Sequence, residues 1–314
     1  MKRSWLLSLL ALLAAPGCST RGELLWSACD LQAGSCSPDA QPTHWARQDI
    51  ITPRDLTGLW ASDAHHFWAV GLYGTILTGD GATWRLQPSV TTEHLSAVWG
   101  SDASNVWVVG RQGGILKWGG SAWHPQPSGT SNDLLSVWAL DSQNAWAVGT
   151  HGTILKWGGS TWLAQESGIA IDLHGVWGSD SSHVWAVGDS GVILMWNGTT
   201  WSGQRSGTQS HRSSVFGTSA TDVWTGGFAD LLHWNGTAWT IPDPDFHLFI
   251  GGLWGSAANN IWGSGDNGRM ARWNGTKWNS ESTGVIDIFY AVWGKDGSDV
   301  WVVGSYGAIL HRLP

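Results

Sequence analysis

A segment of roughly 40 residues recurs along most of the chain with hardly an insertion, and self-similarity at such a period is typical of solenoids, linear arrays and propellers. A representative copy, residues 95–129, reads LSAVWGSDASNVWVVGRQGGILKWGGSAWHPQPSG. The content of one period therefore decides which of these folds the chain adopts.

Four columns of aromatic residues keep the copies in register. The first column is Trp60, Trp99, Trp138, Trp177, Phe216, Trp254 and Trp293, and the second is Trp68, Trp107, Trp146, Trp185, Trp224, Trp262 and Trp301. The spacing is the same in both columns and constant along them, except that the step after Phe216 and Trp224 is one position shorter. The third column is Trp118, Trp157, Trp196, Trp234 and Trp273, with Gly79 and Arg312 at the corresponding places in the first and last copies. The fourth column is Trp84, Trp123, Trp162, Trp201, Trp239, Trp278 and, one full period upstream of Trp84, Trp45.

Each period contains four short runs rich in Val, Ile, Leu and Trp, separated by Gly, Ser, Asp and Asn. Such runs are typical of strands, and four strands of roughly six residues with turns of about four fill ~40 residues. The last copy stops at Arg312-Leu313-Pro314 after three runs, whereas an isolated fourth run surrounds Trp45. A strand that joins the two termini in one sheet closes a ring and removes its open edges. The sequence therefore predicts an all-β, seven-bladed β-propeller of four-stranded antiparallel blades over residues 45–314, closed by the N-terminal strand.

Residues 1–18 have the features of an export signal. Met1-Lys2-Arg3 is basic, SWLLSLLALLAA is apolar, and small residues precede Cys18. The segment resembles a bacterial lipoprotein signal, which implies that Cys18 becomes the lipidated first residue of the mature protein. Ser19 after the cysteine then implies sorting to the outer membrane, at the cell surface or on its periplasmic side. The alternative is an ordinary cleaved signal with an incidental cysteine.

Residues 19–44 are predicted to be a tether between this signal and the repeats. They contain Cys29 and Cys36, an even pair once Cys18 is set aside. In an oxidising compartment such a pair favours a small disulfide-closed loop. A metal site is the weaker interpretation, because two thiols do not complete a tetrahedral shell and no nearby histidine pair has a familiar spacing.

The composition limits the kind of partner that the chain can bind. Charged residues make up 13% of the sequence, the net charge is −8, and no basic stripe is present. These values argue against a nucleic-acid partner. Because the repeats fill residues 45–314 without a break, we expect one domain and a monomer, with membrane contact only through the lipid anchor.

The tryptophans themselves are predicted to be structural. Of 27 tryptophans, 25 fall on the four columns. At roughly 200 Å² each they represent about 5,000 Å² of surface, whereas a soluble monomer seldom exposes an apolar patch above a few hundred Å². Nearly all must therefore be buried between blades, although tryptophan-rich exported proteins also suggest sugar binding through ring stacking.

Repeated polar residues mark the turns. The turn between the first and second strands carries an Asp three residues after the first column, at Asp63, Asp102, Asp141, Asp180 and Asp296. The turn before the fourth strand carries Asp80-Gly81, Asn197-Gly198, Asn235-Gly236 and Asn274-Gly275. Short polar side chains of this kind bond the backbone ahead of them, so we interpret these residues as turn formers.

The pattern VWGSD, VWAVG, a Gly-Ile-Leu run and a Trp-bearing hairpin resembles the bacterial neuraminidase-repeat and photosystem II stability-factor-like propellers. It is also similar, more weakly, to the tectonin repeats of some propeller lectins. Sialidases of the wider group use an arginine cluster with a Tyr nucleophile and its acidic partner. Residues 78–84 are one residue short of the sialidase Asp-box, and the arginines share no column. We therefore expect no enzymatic activity and no cofactor.

One end of the ring varies between copies and is the predicted binding face. The loops between the second and third strands differ in every blade, whereas the opposite turns are nearly uniform. Varied loops on a rigid scaffold are where binding residues tend to lie. The candidate residues are Tyr73, Arg111, Gln112, His151, Asp189, Phe228, Asp230, Asp266, Asn267 and Tyr306.

A further column lies five residues before the first aromatic column. Its members are Asp55, His94, Asp133, Asp172 and His211, followed by Phe249 and Ile288. This ring of acidic and imidazole side chains has the composition of a site for a cation or a polar ligand. The alternative is that each Asp caps its own loop and that the histidines are solvated, and we predict no metal site.

Two classes of function remain. The first is a non-catalytic interaction module that binds a protein partner on the variable face. The second is a carbohydrate-binding lectin, which the tectonin-like pattern and the aromatic loop residues Tyr73, Phe228 and Tyr306 favour. The sequence identifies neither the protein nor the glycan.

Overall fold

The computed structural model describes residues 29–30, 35–36 and 44–313. Within them lie thirty β-strands, arranged as one two-stranded ladder and seven four-stranded antiparallel sheets. The only helical segments in these residues are five short 3₁₀ turns, and none of them is long and apolar enough to cross a membrane. Residues 1–40 and 41–314 separate into two units, and the seven sheets lie in the second.

The first unit contains one short ladder. Strand β1 (Cys29–Asp30) pairs antiparallel with β2 (Ser35–Cys36), with Cys29 opposite Cys36. Opposite positions of an antiparallel ladder have Cα atoms about 4.5–5.5 Å apart, which is within the range of disulfides. The side chains of this pair lie outside the described residues, as does Cys18, so the disulfide and the lipidation stay predictions.

Blades 1 to 4 follow one another along the chain, each with its strands in sequence order from the channel outward. Blade 1 comprises β4 (Leu56–Asp63), β5 (His66–Gly71), β6 (Ile76–Gly79) and β7 (Trp84–Leu86). Blade 2 comprises β8 (Leu95–Asp102), β9 (Asn105–Gly110), β10 (Ile115–Trp118) and β11 (Trp123–Pro125). Blade 3 comprises β12 (Leu134–Ala139), β13 (Ala145–Gly149), β14 (Ile154–Trp157) and β15 (Trp162–Gln165). Blade 4 comprises β16 (Leu173–Asp180), β17 (His183–Gly188), β18 (Ile193–Trp196) and β19 (Trp201–Gly203).

Blades 5 to 7 complete the series, and the last of them combines strands from both ends of the repeat region. Blade 5 comprises β20 (Arg212–Ser219), β21 (Asp222–Gly227), β22 (Leu232–Trp234) and β23 (Trp239–Thr240). Blade 6 comprises β24 (Gly252–Ala257), β25 (Asn260–Ser264), β26 (Arg269–Trp273) and β27 (Trp278–Ser282). Blade 7 comprises β28 (Phe289–Gly294), β29 (Val300–Gly304), β30 (Ile309–Arg312) and, outermost, β3 (Trp45–Arg47).

The innermost strands of successive blades pack against one another around a closed circuit. Strand β4 contacts β8, and the series continues through β12, β16, β20 and β24 to β28, which contacts β4 again. Strand β3 pairs antiparallel with β30, with Trp45 opposite Arg312 and Arg47 opposite Leu310. The seven-bladed propeller and its closure by the N-terminal strand are therefore confirmed.

Side chains reinforce the closing strand on its neighbour, blade 6. The indole Nε1 of Trp45 donates to Glu281 Oε1 at 2.8 Å, and Arg312 Nε donates to the same oxygen at 2.9 Å. The Trp45 ring also packs edge-on against Trp262 with centroids 6.0 Å apart. Arg312 takes the place of a third-column tryptophan, and Glu281 of blade 6 therefore binds both terminal strands of blade 7, forming an ion pair with Arg312 and a hydrogen bond with Trp45.

The tryptophan columns form the core between blades. The second-column residues are each at most 4% exposed, and the other columns are buried or half-buried. Trp107 of blade 2 meets Trp157 and Trp162 of blade 3 edge-on, with centroids 4.9 and 5.1 Å apart. Such T-shaped pairs add about 0.5–1.5 kcal/mol beyond the area that they bury. The prediction that the tryptophans are structural is confirmed.

A side chain on the third strand fills the gap between these tryptophan rings. Lys117 Nζ lies 4.7 Å from the Trp107 ring centroid and 5.1 Å from that of Trp157, in cation–π geometry. Blade 1 has Thr78 at the corresponding place opposite Trp68. Because threonine is too short to fill the gap, a groove of about 630 Å³ opens there, lined by Trp68 and by Trp118 of blade 2.

The repeated Asp and Asn residues form turns as predicted. Asp102 Oδ1 accepts the backbone N–H of Ser104 at 2.8 Å, and Asn197 Oδ1 accepts that of Thr199 at 3.0 Å. The backbone N–H groups of Thr83 and Ala82 lower the pKa of Asp80 to about 2. The Asp80 and Asp102 carboxylates are therefore charged at neutral pH and are bonded to their own turns.

Candidate ligand-binding face

The loops between the second and third strands, with the connections between blades, form one end of the ring, which we call the loop face. The opposite end carries the turns between the first and second and between the third and fourth strands, and we call it the turn end. Five of the seven blades build the loop as a three-residue 3₁₀ turn. These turns are Leu72–Gly74, Arg111–Gly113, Thr150–Gly152, Asp189–Gly191 and Ser305–Gly307.

The tip residue of each loop adopts a left-handed backbone conformation and is exposed. The φ values are 56° at Tyr73, 55° at Gln112, 57° at His151, 55° at Ser190, 78° at Ala229, 49° at Asn267 and 54° at Tyr306. For residues other than glycine this conformation costs on the order of 1 kcal/mol. A glycine follows most tips because a Cβ at Gly74 would lie 1.9 Å from the Thr91 carbonyl oxygen. The tip positions therefore hold side chains at an energetic cost, and those side chains extend from the loop face.

The Asp and His column braces these tips across the blade junctions. In four blades the backbone N–H of the tip donates to a side chain of the next blade: Tyr73 to His94 Nδ1 at 3.0 Å, Gln112 to Asp133 at 2.8 Å, His151 to Asp172 at 2.8 Å and Tyr306 to Asp55 at 2.9 Å. The alternative that each Asp caps its own loop is therefore wrong in one respect, because each of them caps the loop of the preceding blade. These bonds tie the loop face together from blade 7 through blades 1, 2 and 3 to blade 4.

Aromatic rings stand out from this braced surface. Tyr73 is 58% exposed, Phe228 56% and Tyr306 71%. The Arg54 guanidinium stacks 5.3 Å from the Tyr73 ring centroid and donates to the Tyr73 carbonyl oxygen at 3.1 Å. Phe228 packs against Phe249 with centroids 5.0 Å apart. The Tyr73 and Phe228 rings thus pack against a neighbour on one side and face solvent on the other, and Tyr306 is the most exposed of the three.

The charged candidates differ in how free they are. Arg111 lies 3.9 Å from Asp133, and Asp266 accepts from Arg269 at 3.2 Å, all four side chains being exposed or partly so. Asp230 instead binds the fully buried guanidinium of Arg212. Asp230 is therefore committed to a structural ion pair, which the sequence did not reveal because Arg212 stood out in no column.

Two candidates and one residue that the sequence analysis missed meet at the junction of blades 4 and 5. Asp189 Oδ1 lies 3.1 Å from His174 Nε2 and 2.5 Å from His211 Nδ1. Burial, and then the nearby His211, lower the pKa of His174. Burial opposes ionisation of Asp189, but the hydrogen bond from His211 and the charge of His174 still hold its pKa below the usual value. The only sequence signal for His174 is that it is the single histidine at its position of the inner strand.

A channel of about 320 Å³ runs along the inner strands, and Tyr290 and His174 line it. Burial raises the pKa of Tyr290, and the charge of Asp55 and the hydrogen bond to it raise the pKa further. Tyr290 and Asp55 thus form a tyrosine–carboxylate pair, and the described residues that line the channel include no arginine.

Comparisons with known proteins address the fold. No protein-family model matches the chain, and no curated protein matches it in sequence. In structure it is similar to "YCF48 bound to D1 peptide", with a TM-score of 0.71 and 20% identity over 87% of this chain and 98% of that one. YCF48 from Cyanidioschyzon merolae gives a TM-score of 0.70 and 20% identity over 86% and 98%. The WD40 propeller domain of Doa1 gives 0.72 and 12% identity over 85% and 95%.

The chain has the fold of these propellers. The similarity to YCF48 supports, at the level of the fold, the resemblance to photosystem II stability-factor-like propellers. Propellers of one fold serve many functions, so the function has to be argued from the site.

Proposed function

We propose that the protein is a non-catalytic propeller scaffold that binds a protein segment on its loop face. The observation that carries the proposal is the exposure of Tyr73, Phe228 and Tyr306 on the loop face, where the next blade braces the backbone of the Tyr73 and Tyr306 tips. Tyrosine and arginine are enriched among the residues that dominate binding energy at interfaces. A rigid surface also loses little conformational entropy when a partner binds. YCF48, which has the same fold, is bound to a D1 peptide in one structure, and this favours a peptide-like ligand.

The absence of catalysis is part of the proposal. Four arginines of the loop face each have a separate partner: Arg54 packs on Tyr73, Arg111 lies beside Asp133, Arg212 binds Asp230 and Arg269 binds Asp266. A sialidase-like site needs its arginines to converge on one carboxylate of the substrate. The channel lined by Tyr290 has no arginine among its described lining residues.

Carbohydrate binding is the second candidate, because exposed rings such as Tyr73 and Tyr306 suit stacking on sugars. A glycan array probed with the purified chain distinguishes the two. Specific sugar binding favours a lectin. The absence of glycan binding on the array, together with peptide binding, favours the scaffold.

Peptides that bind the purified chain, selected from a display library, test whether the loop face is the binding surface. Replacing Tyr73, Arg111, His151 and Tyr306 together with alanine is expected to raise the Kd of a selected peptide at least about tenfold, because these side chains are the exposed contact surface. The melting temperature should change little, since surface substitutions usually cost within about 0.5 kcal/mol each. Titration calorimetry and thermal unfolding give the two readouts.

A matched set of substitutions at the turn end is the control. Ser121, Ser142, Ser160 and Lys295 are exposed there, and their replacement with alanine should leave the Kd within about twofold. Loss of binding in this set, with none in the first, contradicts the loop face as the binding site. Because Ser121 lines the groove beside Thr78, that outcome points to the groove instead.

We also propose that the chain is an exported lipoprotein anchored through Cys18, on the strength of its basic start, apolar run and cysteine. Replacing Cys18 with serine is expected to move the protein from the membrane fraction to the soluble fraction, or to leave the signal uncleaved. Cell fractionation with immunoblotting measures this, and Cys29→Ser is the control that should stay with membranes. If the Cys18 variant is processed and partitions like the parent, the chain is not a lipoprotein.

A further inference from the structure

We propose that His174, Asp189 and His211 form a binding site for one divalent transition-metal ion, such as Zn²⁺, on the loop face between blades 4 and 5. The site rests on side-chain geometry alone and does not depend on the proposed binding of a protein segment. It adds His174 to the residues that the sequence singled out and gives Asp189 and His211 a specific role.

The distances fit a metal site after small adjustments. The donor atoms of the three side chains all lie within 4.8 Å of one another. The two imidazole rings have centroids 4.5 Å apart, and the Asp189 carboxylate is hydrogen-bonded to both rings. In a tetrahedral zinc site, donor atoms about 2.0–2.2 Å from the ion are about 3.3–3.6 Å from each other. Side-chain movements of about 1 Å therefore bring all three donors into ligand positions.

The hydrogen bonds at this site depart from the pattern that repeats in other blades. This departure distinguishes the three residues from the other acidic and imidazole residues of the ring. In four blades the column residue of the next blade accepts the backbone N–H of the loop tip. At this junction the column residue His211 bonds instead to the Asp189 side chain. The inner-strand position of His174 holds Thr57, Ser96, Leu135, Ser213, Gly251 and Tyr290 in the other blades. Within the described residues, this is the one group of three such donors close enough to share an ion.

The donor set selects the class of ion. Imidazole nitrogens suit Zn²⁺, Cu²⁺ and Ni²⁺, whereas Mg²⁺ and Ca²⁺ prefer sites made of oxygen ligands. Two imidazoles and one carboxylate leave a fourth tetrahedral position for water or for a donor from outside the chain. The side chains of His174, Asp189 and His211 are 25%, 46% and 26% exposed, so an ion can enter from solvent. Asp172, which acts electrostatically on His174, adds negative charge beside the site.

Calorimetric titration of the purified, untagged, full-length chain with ZnCl₂ tests the proposal. We expect one ion per chain, a Kd of about micromolar or tighter, and little heat with MgCl₂. His174→Ala and His211→Ala should each weaken zinc binding at least about tenfold. Asp189→Asn keeps the shape and hydrogen bonds of the side chain but removes its charge, and it should weaken binding even if an alanine variant folds poorly.

His183 provides a matched control. Its Nδ1 lies 2.9 Å from the Asp180 carboxylate at the turn end, in a pair without a second histidine. His183→Ala should leave the zinc affinity unchanged. The proposal is overturned if the parent chain takes up no zinc, or if Asp189→Asn binds as tightly as the parent. It is also overturned if His183→Ala loses as much affinity as His174→Ala. None of these outcomes depends on whether the loop face binds peptides.

Discussion

A chain that lacks residues 1–52 is expected to melt at least about 10 °C below a chain that begins at Gln41, or to aggregate. The deletion removes β3 and leaves β30 as an open edge. It also removes Trp45, whose burial at roughly 200 Å² and about 25 cal/mol per Å² contributes about 5 kcal/mol. Each kcal/mol corresponds to roughly 2–4 °C in a domain of about 150–250 residues, so the effect is easily measured by calorimetry.

The chain that begins at Gln41 is the control, since it lacks the same signal and tether but keeps the closing strand. Its unfolding should match that of the full-length chain. Equal melting temperatures for the two truncated chains, with both monomeric by light scattering, contradict a stabilising role for the closure.

Trp107→Ala is expected to lower the free energy of unfolding by about 3–5 kcal/mol. The Trp107 ring is fully buried between blades 2 and 3, where it meets Trp157, Trp162 and the Lys117 ammonium group. Its removal leaves a cavity among rigid strands that cannot collapse to fill it. Urea unfolding followed by circular dichroism measures the change.

Leu163→Ala is the control for this substitution. Leu163 follows Trp162 on β15 but is 61% exposed, so its replacement should cost within about 0.5 kcal/mol. The loss of unfolding free energy in Trp107→Phe should lie between those of the two alanine variants, because phenylalanine keeps an aromatic ring at this buried position. If Trp107→Ala unfolds at the same urea concentration as the Leu163 variant, the second column does not carry the stability that its burial indicates.

The fold was predictable from the sequence because the same pattern of aromatic and turn residues recurs in successive blades. The constant spacing of the Trp107 column, with Trp45 in phase upstream and no fourth-column residue after Arg312, indicates both the number of blades and the way in which the ring closes. The turn residues were also predictable, because an Asp such as Asp102 bonds the backbone only two residues ahead. Both patterns can be read from the sequence because one is periodic along the chain and the other involves residues only a few positions apart.

The details of the candidate site were not predictable, because they depend on contacts between blades. Asp133 caps the tip of the preceding loop at Gln112, 21 residues away, and nothing in the sequence tells which loop it will reach. His174 meets Asp189 and His211 only when two blades pack side by side. The groove beside Thr78 arises from a side chain that is too short, and such a vacancy is visible only after the neighbouring rings are in place.

The pairing of β3 with β30 also has a consequence for how the molecule folds. A chain made from its N-terminus produces Trp45 early and its partner Arg312 late, so the two must find each other across almost the full length of the ring. Bringing such distant segments together carries a loop-closure cost that is met only when the intervening blades are compact. We therefore expect closure to be the final step of folding. Until it occurs, the edge of β30 can pair with the β3 strand of another molecule, so we expect exchange of β3 between chains to be the main misfolding event.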